Sequence, residues 1–169
     1  MFKDIILFEK ESEIIKKLEL DILKIRFNNK IRKGELNIIE SNGDNRKLLE
    51  NKDLDVLVSP EKNAGKDFMH YRNSGLNQVL CEIARKNNMA IGFSFNEVLN
   101  SKERGKLLGR MMLNVRLCRK YKVKMLIGSF ARNEFELRSF DSLITFGKII
   151  GMNEKEARNA LSLIDNIKE

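Results

Sequence analysis

Short apolar runs alternate with longer amphipathic stretches along this chain. Six runs read as strands: Phe2–Phe8, Asp21–Phe27, Leu36–Ile39, Asp55–Ser59, Met89–Phe95 and Lys124–Phe130. The last three are dense in Val, Ile, Leu and Phe, as in strands covered on both faces. Between the runs, apolar residues recur at helical spacing. Ile14, Ile15 and Leu18 mark a first helix. Leu76, Val79, Leu80, Ile83 and Ala84 share one stripe of a second, over Gly75–Asn87. A third, over Ser101–Tyr121, lines up Leu107, Leu108, Met111, Met112, Val115 and Cys118, with Asn100 and Glu103 as a capping-box pattern at its start. A fourth covers Asp141–Ile150 and stops at Gly151. The fifth starts at Asn153, with Glu156 three residues on, and aligns Ala157, Ala160, Leu161 and Ile164.

Interleaved strands and helices of this kind make βα units around a largely parallel sheet. The expectation is one α/β domain over residues 1–169, either an open sheet or a small barrel. Eight-stranded barrels usually need more than about 200 residues, so a barrel here is a trimmed one, short of at least one βα unit. The signal is weakest over Asn28–Glu50, where Asn, Gly and charged residues crowd one short strand.

The length allows a core without covalent staples. No apolar run is long enough to span a membrane. The start of the chain has too short an apolar core for a signal peptide and carries Asp4 just before it. Cys81 and Cys118 read as small buried hydrophobes of a reducing cytosol. With a single histidine, His70, a zinc centre built on several imidazoles has no ligands to use. A Ser-His-Asp triad would have to pass through His70, which no nucleophile motif accompanies. His70 reads instead as an exposed or structural residue, with phosphate contact as the functional alternative. No catalytic residue and no metal ligand is assigned.

Charge changes the picture. Residues 102–124 hold nine Lys/Arg and one Glu, an excess equal to the whole chain's net charge of +8. A field concentrated in one segment attracts a polyanion to one side of the molecule. At about 100° per residue, Lys106, Arg110, Arg116 and Lys120 fall opposite the apolar stripe of the third helix. Arg104 lies in its first turn and Arg119 near the stripe. The first four should face solvent, and Lys122 and Lys124 continue the run into the next strand. Arg46 and Lys47 follow the third strand, Arg72 precedes the second helix, Arg132 and Arg138 bracket the loop after the last strand, and Arg158 projects from the final helix. Loops leaving the carboxyl ends of parallel strands share one rim, so Arg72, Arg132 and Arg138 could lie together. Ser59, Ser94 and Ser129 at strand ends read as turn or cap residues before phosphate ligands. No zinc-finger spacing or RNA-stacking sheet motif is present, so recognition should run through phosphates and shape.

Three blocks resemble a known family: Asp55-Val-Leu-Val-Ser-Pro60, Ser74-Gly-Leu-Asn-Gln-Val-Leu80 and Asn88-Met-Ala-Ile-Gly-Phe-Ser94. They are similar to the thirty-kilodalton subunits of ribonuclease P and the mitochondrial-RNA-processing enzyme, which include protein component three of archaeal ribonuclease P. The likeness continues through Arg119-Lys-Tyr-Lys-Val123, Gly128-Ser129, Asp141-Ser-Leu-Ile-Thr-Phe-Gly-Lys-Ile-Ile-Gly-Met152 and Glu156-Ala-Arg-Asn-Ala-Leu-Ser162. It implies a TIM-barrel-like (βα) barrel related to metal-dependent phosphoesterases of the polymerase-and-histidinol-phosphatase type, without their ligands. Here the barrel would be shortened to six or seven strands, open or closed.

The resemblance further implies a noncatalytic, cytoplasmic subunit that braces the ribonuclease P RNA, so that the chain alone is not expected to be an enzyme. The RNA removes the 5′ leader of precursor tRNA with Mg²⁺, which the RNA and not the chain requires. Protein component two is the implied partner, in a heterotetramer; precursor tRNA is met indirectly, and no membrane is involved. Positions matching family basic residues are Arg46, Lys86, Lys120, Arg138 and Arg158. Together with Arg72, Lys106, Arg110, Arg116 and Arg132 they form the candidate RNA-binding set. The chain departs from the family in a shorter N-terminal third and in Ser139-Phe140, where members carry a longer basic loop. The alternative function is a general binder of structured RNA.

Overall fold

A computed structural model describes residues 3–8, 21–24, 27 and 31–167. The expected first helix, around Ile14, Ile15 and Leu18, lies outside the described residues, as do Phe2 of the first expected strand and residues 25–26 of the second. The strands are β1 (Lys3–Ile6), β2 (Asp21–Lys24), β3 (Ile38–Glu40), β4 (Val56–Val58), β5 (Ala90–Ser94) and β6 (Lys124–Gly128). The helices are α1 (Asn45–Glu50), α2 (Gln78–Lys86), α3 (Phe95–Asn100), α4 (Arg104–Tyr121), α5 (Phe140–Ile149) and α6 (Glu154–Ile167).

All pairings are parallel, and β3-β4-β5-β6 form one four-stranded sheet in sequence order. Val56 faces Ala90, which in turn faces Lys124. Alternate residues feed two layers. Leu57, Ile91, Phe93 and Ile127 point into the cluster made with the helices. Val56, Val58, Ala90 and Leu126 point the other way, toward Ile5, Ile38, Phe130 and Ile164. Both faces are thus dry, which explains the continuous apolar runs of β4 and β5.

β1 and β2 pair as a separate two-stranded sheet. One bridge, Ile6 to Ala131, ties it to the chain just beyond β6, with the Leu7 N–H donating to the Ala131 carbonyl at 2.8 Å. The buried Asp4 carboxylate accepts the Ser129 N–H at 2.8 Å, and the Ser129 hydroxyl donates to the Ile5 carbonyl at 3.2 Å. Gly128 leaves room for Ile5, whose Cβ would stand 3.2 Å from any Cβ at that position. The expected parallel α/β architecture is present, in the open form of the two that the sequence allows. Among the described residues the four-stranded sheet stays open, and the two sheets meet through this single seam.

The helices differ from expectation at their starts. α2 begins after Asn77, whose side chain accepts the Leu80 N–H at 3.0 Å, and not at Gly75. Its buried face is Leu80, Cys81 and Ala84, while Val79 is exposed. Asn100 does not cap α4. It closes α3, a helix that the apolar run of β5 had masked, and donates to the Asn96 carbonyl and to Glu136. α4 starts at Arg104, without a side-chain cap. By contrast, the Asn153–Glu156 capping box forms as read: each side chain accepts the other's N–H, at 2.8 and 2.9 Å. Gly151, at φ +98°, makes the stop before it.

Part of the α4 face opposite the sheet, around Arg110 and Asn114, is not solvated, although Arg116 and Lys120 remain exposed. The segment 59–77, which carries no helix or strand of its own, folds over it. Asn114 donates to Glu61 at 3.0 Å and to the Ser74 carbonyl at 2.9 Å. Asn45 of α1 donates to the carbonyls of Pro60 and Gly75, both at 2.9 Å. Gly75, at φ +76°, sits so close to Pro60 that a Cβ there would collide with its carbonyl.

Glu61 is fully buried, and burial pushes its carboxyl up from an ordinary 4.5 to about 7. Glu61 Oε1 and Asn114 Oδ1 are both buried without a hydrogen-bond partner. Burial likewise raises Asp4 to about 6. The folded chain holds these protons more tightly than the unfolded chain. The stability they give is therefore full below about pH 4 and is lost as pH rises through 6 to 7. Glu61→Gln should remove part of that loss. Its melting temperature should fall less than the parent's between pH 5 and 8, with a gain at pH 8 of up to about 3 kcal/mol. Parallel melting curves for the two proteins across that range would disprove it.

Candidate nucleic-acid interface

α2 and α4 pack side by side and end close together. Their last turns and the residue after α4 frame an open cleft lined by Glu82, Arg85, Lys86, Lys120, Tyr121 and Lys122. Helix C-termini favour cations because their free carbonyls carry partial negative charge, but four cations against one acid exceed what two helix ends need. Lys122 takes the left-handed conformation, φ 56°, that turns the chain from α4 into β6. Lys120 also lies over the Tyr121 ring at 5.2 Å. Among the described residues, Arg85, Lys86, Lys120 and Lys122 make no ion pair, and neither do Arg116 and Arg72. Four cations beside the single acid Glu82 make this cleft electropositive.

Lys86 and Lys120, both named from the family resemblance and Lys120 also from its helix face, thus meet in one place. Arg85 and Lys122 belong with them and were missing from the candidate set. Their signal was faint: Arg85 reads as an ordinary dipole partner in a helix's last turn, and Lys122 as a continuation of the basic run toward the next strand.

Other candidates sit elsewhere. Arg110 is buried rather than outward-facing. Its guanidinium reaches Asp67 Oδ1 at 2.9 and 2.7 Å and the carbonyls of Glu61 and Gly65. Burial pushes the Asp67 carboxyl up, but the Arg110 hydrogen bonds, the Asn73 N–H and the charges of Arg110 and Lys106 together hold it below its usual range. The acid lies far from Arg110 in sequence, which is why counting charges within the helix left this arginine free. Similarly, Arg119 pairs with Glu156 at 2.7 Å. Lys106 pairs with Glu103, Arg46 with Glu50 and Arg158 with Glu154, all exposed contacts that a phosphate can displace. Arg46 stands on a helix, not in a loop.

The expected Arg72–Arg132–Arg138 rim is not one cluster. Arg132 and Lys62 bind two carboxylates, Glu40 and Glu97, at 2.9–3.6 Å, across the carboxyl ends of β3 and β5. Arg138 donates to the carbonyls of Phe135 and Leu137 and lies over the Phe95 ring at 5.0 Å. Arg72 lies against Gly109 of α4, where a Cβ would occupy its guanidinium position. Ser59, Ser94 and Ser129 are buried, Ser94 as the cap of α3 and Ser129 in the β1 seam, as turn and cap residues.

The family model for RNase P subunit p30 matches residues 40–168. The chain belongs to the RNase P subunit p30 family. Ribonuclease P protein component 3 of Methanosarcina mazei is 35% identical over 122 residues, covering 71% of this chain and 48% of that relative. The same component of Methanothermobacter thermautotrophicus is 30% identical over 139 residues, 79% of this chain and 54% of that one. The chain spans about half the length of the p30-family relatives it matches. A chain of the cryo-EM structure of archaeal Ribonuclease P with mature tRNA superposes with a TM-score of 0.76 over 98% of this chain and 89% of its own. At 21% identity, that likeness shows the fold alone.

Arg110→Ala should destabilise the protein, lowering its melting temperature by about 5 °C or more, because buried carbonyls and Asp67 lose their donor. Arg116→Ala should leave it unchanged. Equal melting temperatures for the two variants would show that Arg110 is not a structural clamp.

Proposed function

We propose that this chain is a protein subunit of a ribonuclease P, holding the RNA that removes the 5′ leader from precursor tRNA. The observation that carries this reading is the unneutralised cleft of Arg85, Lys86, Lys120 and Lys122 on a p30-family fold. Four exposed cations around a concave surface suit the phosphates of a folded RNA backbone. The chain's part is to brace the RNA; Mg²⁺ and the cleavage chemistry belong to the RNA. The partner is protein component two, in a heterotetramer, and the assembly works in the cytoplasm. The two sheets joined at Asp4 and Ser129 are read as a shortened barrel that has lost its ancestral phosphoesterase chemistry. In support, the carboxylates Glu40 and Glu97, at the strand ends where such chemistry would sit, are each held by Lys62 and Arg132.

The test is reconstitution of an archaeal ribonuclease P RNA with component two and this chain, with leader removal assayed at limiting Mg²⁺. Stimulation by the parent chain is expected. Lys86→Ala with Lys120→Ala should reduce the log–log salt slope of RNA binding by about 1–2, weaken stimulation and leave the melting temperature alone. No stimulation by the parent in any combination would reject the reading in favour of a general binder of structured RNA.

A further inference from the structure

The geometry points to the tip of the 59–77 segment as a stacking site for an unpaired nucleobase of bound RNA. This rests on the RNA-binding reading above and adds a contact of a different kind, made by ring faces rather than charge.

Phe68 and Tyr71 stack on each other with centroids 4.4 Å apart and planes at 24°. Both are exposed, at 53% and 62%, and Met69 between them is 91% exposed. The Phe68 N–H donates to the Tyr71 carbonyl at 2.9 Å, closing the turn that brings the rings together. The tip is also anchored at both ends. Asp67, just before it, is gripped by Arg110 and accepts the Asn73 N–H at 2.9 Å. Asn73, just after it, donates to the Ala64 carbonyl. Buried and part-buried polar groups thus hold an apolar pair out in water, where it adds nothing to the core. An uncovered apolar surface fixed in this way marks a contact site.

The surroundings name the occupant. The rings border a groove of about 670 Å³ that Arg46, Arg72, Asn77 and Gln78 also line, a size that admits a nucleotide. Arg72 and Lys66 flank the tip without ion-pair partners among the described residues, while the acid beside them, Asp67, is neutralised by Arg110. The other acid on the groove, Asp44, is engaged as the cap of α1. Aromatic faces beside cations and amides suit a base stacked on a ring with its phosphate toward an arginine. An apolar protein segment would leave Arg72 facing no anion.

The chain has no tryptophan, so Tyr71→Trp gives a single fluorophore at the site. The probes are a single-stranded oligoadenylate of about ten nucleotides and an RNA duplex of equal length. The Tyr71→Trp emission should change on adding the single strand. Phe68→Ala with Tyr71→Ala should weaken single-strand binding about tenfold, with duplex binding, salt slope and melting temperature unchanged. Lys86→Ala with Lys120→Ala should do the reverse, lowering the slope for both probes. Unchanged single-strand affinity in the Phe68→Ala, Tyr71→Ala protein overturns the stacking site and leaves the RNA-binding reading standing. A parent chain that binds neither probe overturns both. A Tyr71→Trp signal that answers to component two and not to RNA also overturns the stacking site, making the tip a protein contact.

Discussion

Arg110 projects from the middle of α4 into the segment 59–77, where it meets Asp67 and the carbonyls of Glu61 and Gly65. Loops of this length without regular structure are uncommon in compact domains and tend to be functional. This one keeps a fixed shape because polar side chains from α1 and α4 reach into it: Asn45, Arg110 and Asn114. Hydrogen bonds are directional, so these anchors set orientation as well as proximity. The groove, the aromatic tip and the position of Arg72 all follow from that grip. The groups involved are also those most costly to leave unpaired in a low-dielectric interior, so the grip should persist or fail as a unit.

The molecule divides its cations into two populations. Arg110, Arg119, Arg132 and Lys62 are held by acids or carbonyls from distant parts of the chain and shape the protein. Arg85, Lys86, Lys120 and Lys122 gather around one cleft with a single acid nearby. Net charge therefore overstates the field at α4's middle and understates it at α4's end. A phosphate backbone approaching the molecule meets the second population.

Much of the architecture was legible from local pattern. Ala157, Ala160, Leu161 and Ile164 line the buried face of α6, and the Asn153–Glu156 box starts it, because both signals lie within a few residues. Continuous apolar runs marked β4 and β5 for the same reason. What escaped depends on contacts distant in sequence. α3 was hidden because Phe95, Val98 and Leu99 extend the apolar run of β5, and the cap that separates them is one serine, Ser94. Arg110 and Asn114 sit on the helix face that polarity marks as outward, and only the covering segment buries them. The cleft joins Lys86 to Lys120 through the packing of two helices, which no spacing rule contains. The strand seam at Asp4 was likewise beyond reach, since its partner, Ser129, lies near the other end of the chain.

Gly109 is a small notch in α4 into which the Arg72 guanidinium settles. The missing methyl makes the helix surface a mould for a side chain from another segment. A side chain filling this notch would steer the arginine along a different path and move the charge it presents beside the groove. One backbone position, remote from the aromatic tip in sequence, thereby sets where a cation stands at the groove's edge.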